Sequence, residues 1–226
     1  MPEDRQFYLA QLKERLQYYK EMGIDGLSVT GSPELFSPSE NARESLDSIR
    51  SDLGDCRRCK LCSGRTNIVF GSGTPHAKLV FVGEGPGADE DAQGLPFVGA
   101  AGQLLTKIIE AIQLTRDQVY ICNIVKCRPP SNRTPEEDEI AACSPFMFRQ
   151  IESIRPRAIC CLGAVAAQTV LGTKTAVGKL RGRFHDYHGI QVMPTWHPAY
   201  LLRNPAAKRD VWEDVRKIKA LLDEVG

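Results

Sequence analysis

Eight cysteines are the first residues in this chain whose chemistry asks for an explanation. Cys56-Arg57-Arg58-Cys59 is a CxxC, and Lys60-Leu61-Cys62 extends it to CxxCxxC, a spacing that suits either an iron–sulfur cluster or a zinc ion. Cys127 and Cys143 follow, with 15 residues between them. The other three lie in apolar runs: Cys122 in Val119-Tyr120-Ile121-Cys122, and the pair Cys160 and Cys161 in Ala158-Ile159-Cys160-Cys161-Leu162. A free thiol in such a run behaves as a small core residue. The N-terminus, MPEDRQFYLAQL, has no apolar stretch behind a basic start, so a cytoplasmic chain is expected. A reducing compartment favours metal ligation or core packing over a disulfide framework.

A second group of residues falls where predicted strands end. Gly83-Glu84-Gly85-Pro86-Gly87 leads through Glu90-Asp91 and Gly94 to Pro96-Phe97-Val98-Gly99, a loop whose glycines let backbone N–H groups approach a ligand closely. It lacks the Lys-Ser/Thr ending of a P-loop, which argues against a nucleoside triphosphate. Asn123 ends a second strand, and Trp196-His197-Pro198 follows a later one. Alone, an Asn or a His can simply satisfy nearby backbone groups. Three such ends converging on one crevice describe a site.

The elements that must position these residues alternate. Lys78–Gly83 is a continuous apolar run, Gly99–Leu114 reads as a helix, Val119–Val125 as a strand and Pro135–Ile154 as a helix. Arg157–Gly163 and Ile190–Thr195 are further strands, Ala164–Leu171 a short helix, and Lys208–Val225 an amphipathic closing helix. This order predicts parallel βαβ units, and hence a three-layer α/β/α sandwich on a short four-stranded parallel sheet. Ligands of such sheets bind outside the carboxyl ends of the strands. Thr134 as cap, Pro135 in the first turn and Glu137 closing a capping box are expected to fix the start of the long helix.

Ahead of this core, residues 5–22 carry Leu9, Leu12, Leu16 and Tyr19 at helical spacing, and residues 27–42 are rich in Ser and Pro. The expected division is an N-terminal helix and linker over 1–42 and one globular domain over 43–226. With 29 basic and 28 acidic side chains there is no bulk charge to attract nucleic acid, so any such contact must be local. No stretch reaches the roughly 18 apolar residues of a membrane span.

Five segments taken in order, GEGPGADEDAQGLPFVGAAGQLL, NIVKCRPPSNRTP, PRAICCLGAVAAQTVLG, LRGRFHDYHG and MPTWHPAYLLRNP, resemble the motifs of family 4 uracil-DNA glycosylases over about residues 54–222. The resemblance implies a uracil-DNA glycosylase fold, a 4Fe–4S cluster, and hydrolysis of the N-glycosidic bond of a uracil flipped out of single- or double-stranded DNA, leaving an abasic site. Asn123 matches the base-reading asparagine, Phe97 the aromatic platform under the base, and His197 the donor to the leaving uracil. Glu84 matches the motif carboxylate, a group to orient the attacking water or offset the positive charge of the sugar, with Gly83 and Gly85 flanking it against the base. Other branches of the superfamily carry a polar residue where this chain has Gly85, and some carry a bulky ring against thymine where it has Gly87. Tyr200-Leu201-Leu202-Arg203 resemble the loop that enters DNA, with Leu201 or Leu202 as wedge and Arg203 on a phosphate; a helix start with its leucines in the core is the competing reading.

By the same resemblance Cys56, Cys59, Cys127 and Cys143 hold the cluster, Cys62 is spare, and zinc is the rival metal. A protein that traps uracil-DNA without turnover is the alternative function. Relatives of that kind carry a histidine-containing insertion after the asparagine strand, where this chain has Arg128-Pro129-Pro130-Ser131-Asn132-Arg133. The remaining expectations are a monomer working at the nucleoid, and a replication or repair partner such as a polymerase or sliding clamp for the N-terminal helix.

Overall fold

The computed structural model describes residues 44–224. The predicted N-terminal helix and linker lie outside the described residues. The first element is α1, Leu46–Leu53, capped by the Ser45 hydroxyl, which accepts from the Ser48 N–H at 3.1 Å. A short strand β1, Ser72–Gly73, precedes β2, Leu79–Gly83. Helices α2, Ala88–Gln93, and α3, Ala100–Ala111, lead to β3, Tyr120–Asn123. Then come α4, Glu137–Ile154, β4, Ala158–Leu162, α5, Ala164–Leu171, and α6, Val177–Leu180. Strands β5, His185–Tyr187, and β6, Ile190–Thr195, are followed by α7, Pro198–Arg203, and α8, Lys208–Asp223.

The strands form one sheet in the order β1-β3-β2-β4-β6-β5. The four expected strands β3, β2, β4 and β6 are parallel, and β1 and β5 add antiparallel edges, giving six strands among the described residues where four were expected. Neither edge shows in the sequence for a physical reason: β1 is too short to alternate, and β5 is polar His185-Asp186-Tyr187. All residues of β2, β3 and β4 are buried, as strands covered on both faces must be.

Alternate residues serve opposite layers. Val80, Val82, Cys122, Ile159, Cys161 and Val192 face Met147 and Ile151 of α4 and Ala166 and Val170 of α5. Leu79, Phe81, Ile121, Cys160 and Met193 face Leu105 and Ile109 of α3 and Val211, Val215 and Ile218 of α8. Cys122, Cys160 and Cys161 are thus core residues with no exposure.

The long helix starts later than the expected cap. Glu136 is the cap residue, and its N–H donates to Glu139 Oε2 at 2.7 Å. Glu139 is held by Arg133 through two bonds of 2.7 and 2.8 Å, which draws the box two residues beyond Thr134. Between β2 and β4 the chain reverses its direction of travel across the sheet, since β3 lies on one side of β2 and β4 on the other. That switch point opens the crevice of the site.

Candidate active site

A cleft of about 550 Å³ lies at the carboxyl ends of β2, β3 and β6. Glu84, Gly85, Phe97, Asn123, His197, Tyr200 and Arg203 line it together. Segments more than 100 residues apart in sequence therefore meet in one site. Glu90, Pro129, Asn132 and Arg133 line it too; the sequence names them within their segments but gives them no role in the site.

Asn123 is 1% exposed, and its Oδ1 is buried with no hydrogen-bond partner among the described residues. A buried acceptor left empty costs about 1–3 kcal/mol, so this oxygen is set for a donor from outside the protein. Gly83, expected against the base, packs directly against the side chains of Asn123 and Phe97. A Cβ there would stand 2.4 Å from Asn123 Oδ1 and 2.6 Å from Phe97 Cζ. Its bareness lets both side chains occupy the site. Phe97 has φ 53°, a left-handed conformation uncommon for a side chain of this size. Its carbonyl packs on Gly102 of α3, where a Cβ would meet the Phe97 carbonyl carbon and oxygen at 2.0 Å.

The Phe97 loop is braced by Glu90. One carboxylate oxygen accepts from the N–H groups of Val98 and Gly99 at 2.9 and 3.0 Å, and the other from Gly87 at 3.1 Å. The spacing of this carboxylate to its three donors depends on the fold of the loop, which explains why no linear motif revealed it.

His197 caps α7: its Nδ1 accepts from the Ala199 N–H at 3.1 Å. Burial, helped by the charge of Arg203, lowers its pKa to about 4. At neutral pH the ring is uncharged, and with Nδ1 accepting, the proton sits on Nε2. Gly163, at φ 93°, lets the strand end approach, its missing Cβ lying 3.1 Å from His197 Cβ. Glu84 is partly buried, and burial raises its pKa against a hydrogen bond from Thr134. At Gly85 a Cβ would meet Val125 Cγ2 at 2.8 Å, with Pro129 beyond. A second polar side chain beside Glu84 is therefore excluded unless Val125 yields.

Helix α7 separates the two leucines considered as a wedge. Leu201 is 1% exposed and packs in the core with Val211 and Val215, whereas Leu202 is 48% exposed. The helical turn sends consecutive side chains about 100° apart, so only Leu202 is open to a partner. Tyr200 packs on Trp196 with ring centroids 5.0 Å apart, and Trp196 Nε1 donates to Asp210 at 3.0 Å.

Cys56, Cys59, Cys62, Cys127 and Cys143 line one small cavity beside α4. The turn Lys60–Ser63 brings Cys62 back over Cys59, so Cys62 joins the four expected ligands there. Among the described residues no group of three or more His, Cys, Asp and Glu side chains is already placed to hold a single metal ion. The chemistry of the donor set fits a thiolate-bound group. N–H donors point at three sulfurs: Arg58 at Cys56 (3.4 Å), Arg65 at Cys127 (3.5 Å) and the Lys126 backbone at Cys143 (3.2 Å). Burial pushes the Cys127 thiol up to about 11 and raises those of Cys59 and Cys143. Such thiols ionise at neutral pH only beside a cation. Arg58 and Arg149 stack against Phe146 at 4.9 and 5.2 Å, and both pair with Asp52, which fastens the CxxC segment to α4.

Residues 70–216 match the family described as the uracil DNA glycosylase superfamily. The chain is an enzyme of that superfamily. Within it the chain belongs to the type-4 uracil-DNA glycosylases. It is 46% identical over 188 residues to the type-4 uracil-DNA glycosylase of Saccharolobus solfataricus, covering 79% of this chain and 87% of the relative. It is 47% identical over 189 residues to that of Thermotoga maritima, covering 81% and 98%. The type-5 uracil-DNA glycosylase of Pyrobaculum aerophilum is 33% identical over 174 residues, 69% of this chain and 76% of the relative. Among the described residues no helix is long and apolar enough to cross a membrane.

Proposed function

We propose that this enzyme flips uracil out of DNA into the cleft and hydrolyses its N-glycosidic bond, leaving an abasic site. The observation that carries this reading is the buried, unpartnered Asn123 Oδ1 in a cleft shared with Phe97 and His197. That oxygen accepts from uracil N3–H while the amide nitrogen donates to O4. Cytosine presents an acceptor where N3–H should be, leaving two acceptors face to face. Phe97 supplies the surface on which the base stacks.

As the bond to the sugar lengthens, negative charge grows on uracil and positive charge on the deoxyribose. The neutral His197 donates through Nε2–H to uracil O2, where the negative charge develops. Glu84, once ionised, orients water toward the sugar carbon and takes its proton. Leu202 fills the space the base leaves, with Tyr200 beside it and Arg203 on a phosphate.

Cys56, Cys59, Cys127 and Cys143 would hold a 4Fe–4S cluster, with Cys62 in reserve. Such a group ties residues 56–59 to the segments that follow β3 and form α4, a structural contribution with no redox part in excision. The enzyme acts as a cytoplasmic monomer on the nucleoid, and residues 1–42 meet a replication or repair partner.

The test is incubation with an oligonucleotide containing one uracil, followed by alkali. Strand cleavage at that position is expected. No cleavage by intact, metal-replete protein rejects hydrolysis, and a protein–DNA band that survives denaturant would show trapping instead.

A further inference from the structure

Lys126 is 1% exposed and lies between Asn123 and the cysteine cavity. Its Nζ donates to the main-chain oxygen of Asn123 at 2.9 Å and to Gln150 Oε1 at 2.6 Å, with the Phe70 ring centroid 6.0 Å away. Gln150 is itself fully buried, and its Nε2 donates to the Phe70 carbonyl at 3.0 Å and to the Tyr120 hydroxyl at 3.1 Å. Buried amines are retained only with such partners, because an unpaired one is costly to remove from water.

The sheet explains why an amine is needed here. The Ile124 N–H donates to Gly83 of β2, so the carbonyl of Asn123, one residue earlier, faces the other edge. On that edge β1 pairs only with Tyr120 and Ile121. The edge strand ends before Asn123 is reached, and among the described residues no strand neighbour satisfies its carbonyl. Lys126 Nζ stands in for that missing strand. Its main chain is fixed as well, by its carbonyl on the Val69 N–H at 2.8 Å and its N–H on Cys143 Sγ at 3.2 Å.

We propose that Lys126 is a positioning residue for base recognition: its amine clamps the main chain of Asn123, so that the unpartnered Oδ1 meets the ligand, and links that asparagine to the cysteine-bearing segment. This role presupposes uracil as the ligand of the cleft.

The experiment measures binding rather than turnover, on two otherwise identical single-stranded oligonucleotides. One carries a single 2′-fluoro-2′-deoxyuridine, which resists cleavage, and the other carries deoxycytidine there. In metal-replete protein, Lys126→Met is expected to lower the preference for the uracil strand roughly tenfold, the effect of one buried acceptor left unsatisfied. Its iron content and visible absorption should stay unchanged. In an Asn123→Ala background the same substitution should cost no further preference, whereas a merely structural lysine would lower the thermal midpoint and leave the preference unchanged in the protein that keeps Asn123. Unchanged preference in Lys126→Met, a further equal loss in the Asn123→Ala background, or a loss that only follows lost iron would overturn the assignment. Should methionine prevent folding, Lys126→Gln, whose donor stops one bond short, is expected to show the same loss, and unchanged preference there overturns it equally. A wild-type protein with no preference for uracil would reject the uracil reading itself, a failure distinguishable from the others.

Discussion

Phe97 and His197 form a tilted ring pair, with centroids 5.6 Å apart and planes inclined by 34°. The residue expected to carry the base thus also steadies the residue expected to polarise it. Phe97→Ala should therefore weaken two steps together. Losing a stacking surface worth about 1–3 kcal/mol predicts a fall of roughly ten- to hundredfold in uracil-DNA affinity. Single-turnover excision should fall further than affinity, because His197 loses a wall. Equal losses in both would separate the two roles.

Gly102→Ala tests the strained Phe97 backbone. Helix propensity alone favours alanine by about 1 kcal/mol. The clash of its Cβ with the Phe97 carbonyl at 2.0 Å acts in the opposite direction, and neither backbone can yield without moving the ring. A lower thermal midpoint and at least tenfold weaker excision are expected, on the scale of about 1–3 kcal/mol for overpacking. A more stable variant would show that Phe97 is free to shift.

The acid limb of the pH–rate profile should report Glu84. Burial favours its protonated form and raises its pKa, whereas activating water requires the carboxylate. The rate should fall as pH drops through a value above the ordinary carboxylate range. His197 stays neutral down to about 4 and does not set that limb. Glu84→Gln should abolish the limb and lower the plateau by roughly 10²–10⁴. An unchanged rate would move water activation elsewhere.

Leu201 and Leu202 should give opposite phenotypes. Truncating the buried Leu201 to alanine should cost about 2–5 kcal/mol of stability, seen in denaturant unfolding. Leu202→Ala should leave unfolding unchanged and weaken excision from duplex DNA more than from a single strand, where little space needs filling.

Serine at Cys143 or Cys127 should abolish iron and sulfide content, whereas Cys62→Ser should keep both. Visible absorption of aerobically purified protein, with metal analysis, distinguishes the metals. A colourless, zinc-loaded protein with full activity would replace the cluster with zinc.

Much of this was legible in one dimension because its causes are local. The four parallel strands announce themselves as apolar runs, since each is covered on both faces, and Glu84, Asn123 and His197 are found by following those runs to their ends. The glycines between Gly83 and Gly99 and the CxxC mark their segments through spacing alone. Local signals were weaker at boundaries: the cap of α4 moved from Thr134 to Glu136 because Arg133 holds Glu139, a competition the Thr-Pro-Glu pattern does not contain.

Tertiary structure decided whatever depends on segments distant in sequence or on the phase of a turn. The phase of α7 buries Leu201 and exposes Leu202. Gly83 stands against Asn123 Oδ1 and the Phe97 ring, where its missing Cβ makes room for neighbours that arrive from two other segments. The two cysteines that follow β3 gather with the CxxC only when α4 folds back over the sheet. Residue types and order determined which chemistry this chain carries; close approach, burial and the early end of β1 beside Asn123 decided how that chemistry is held.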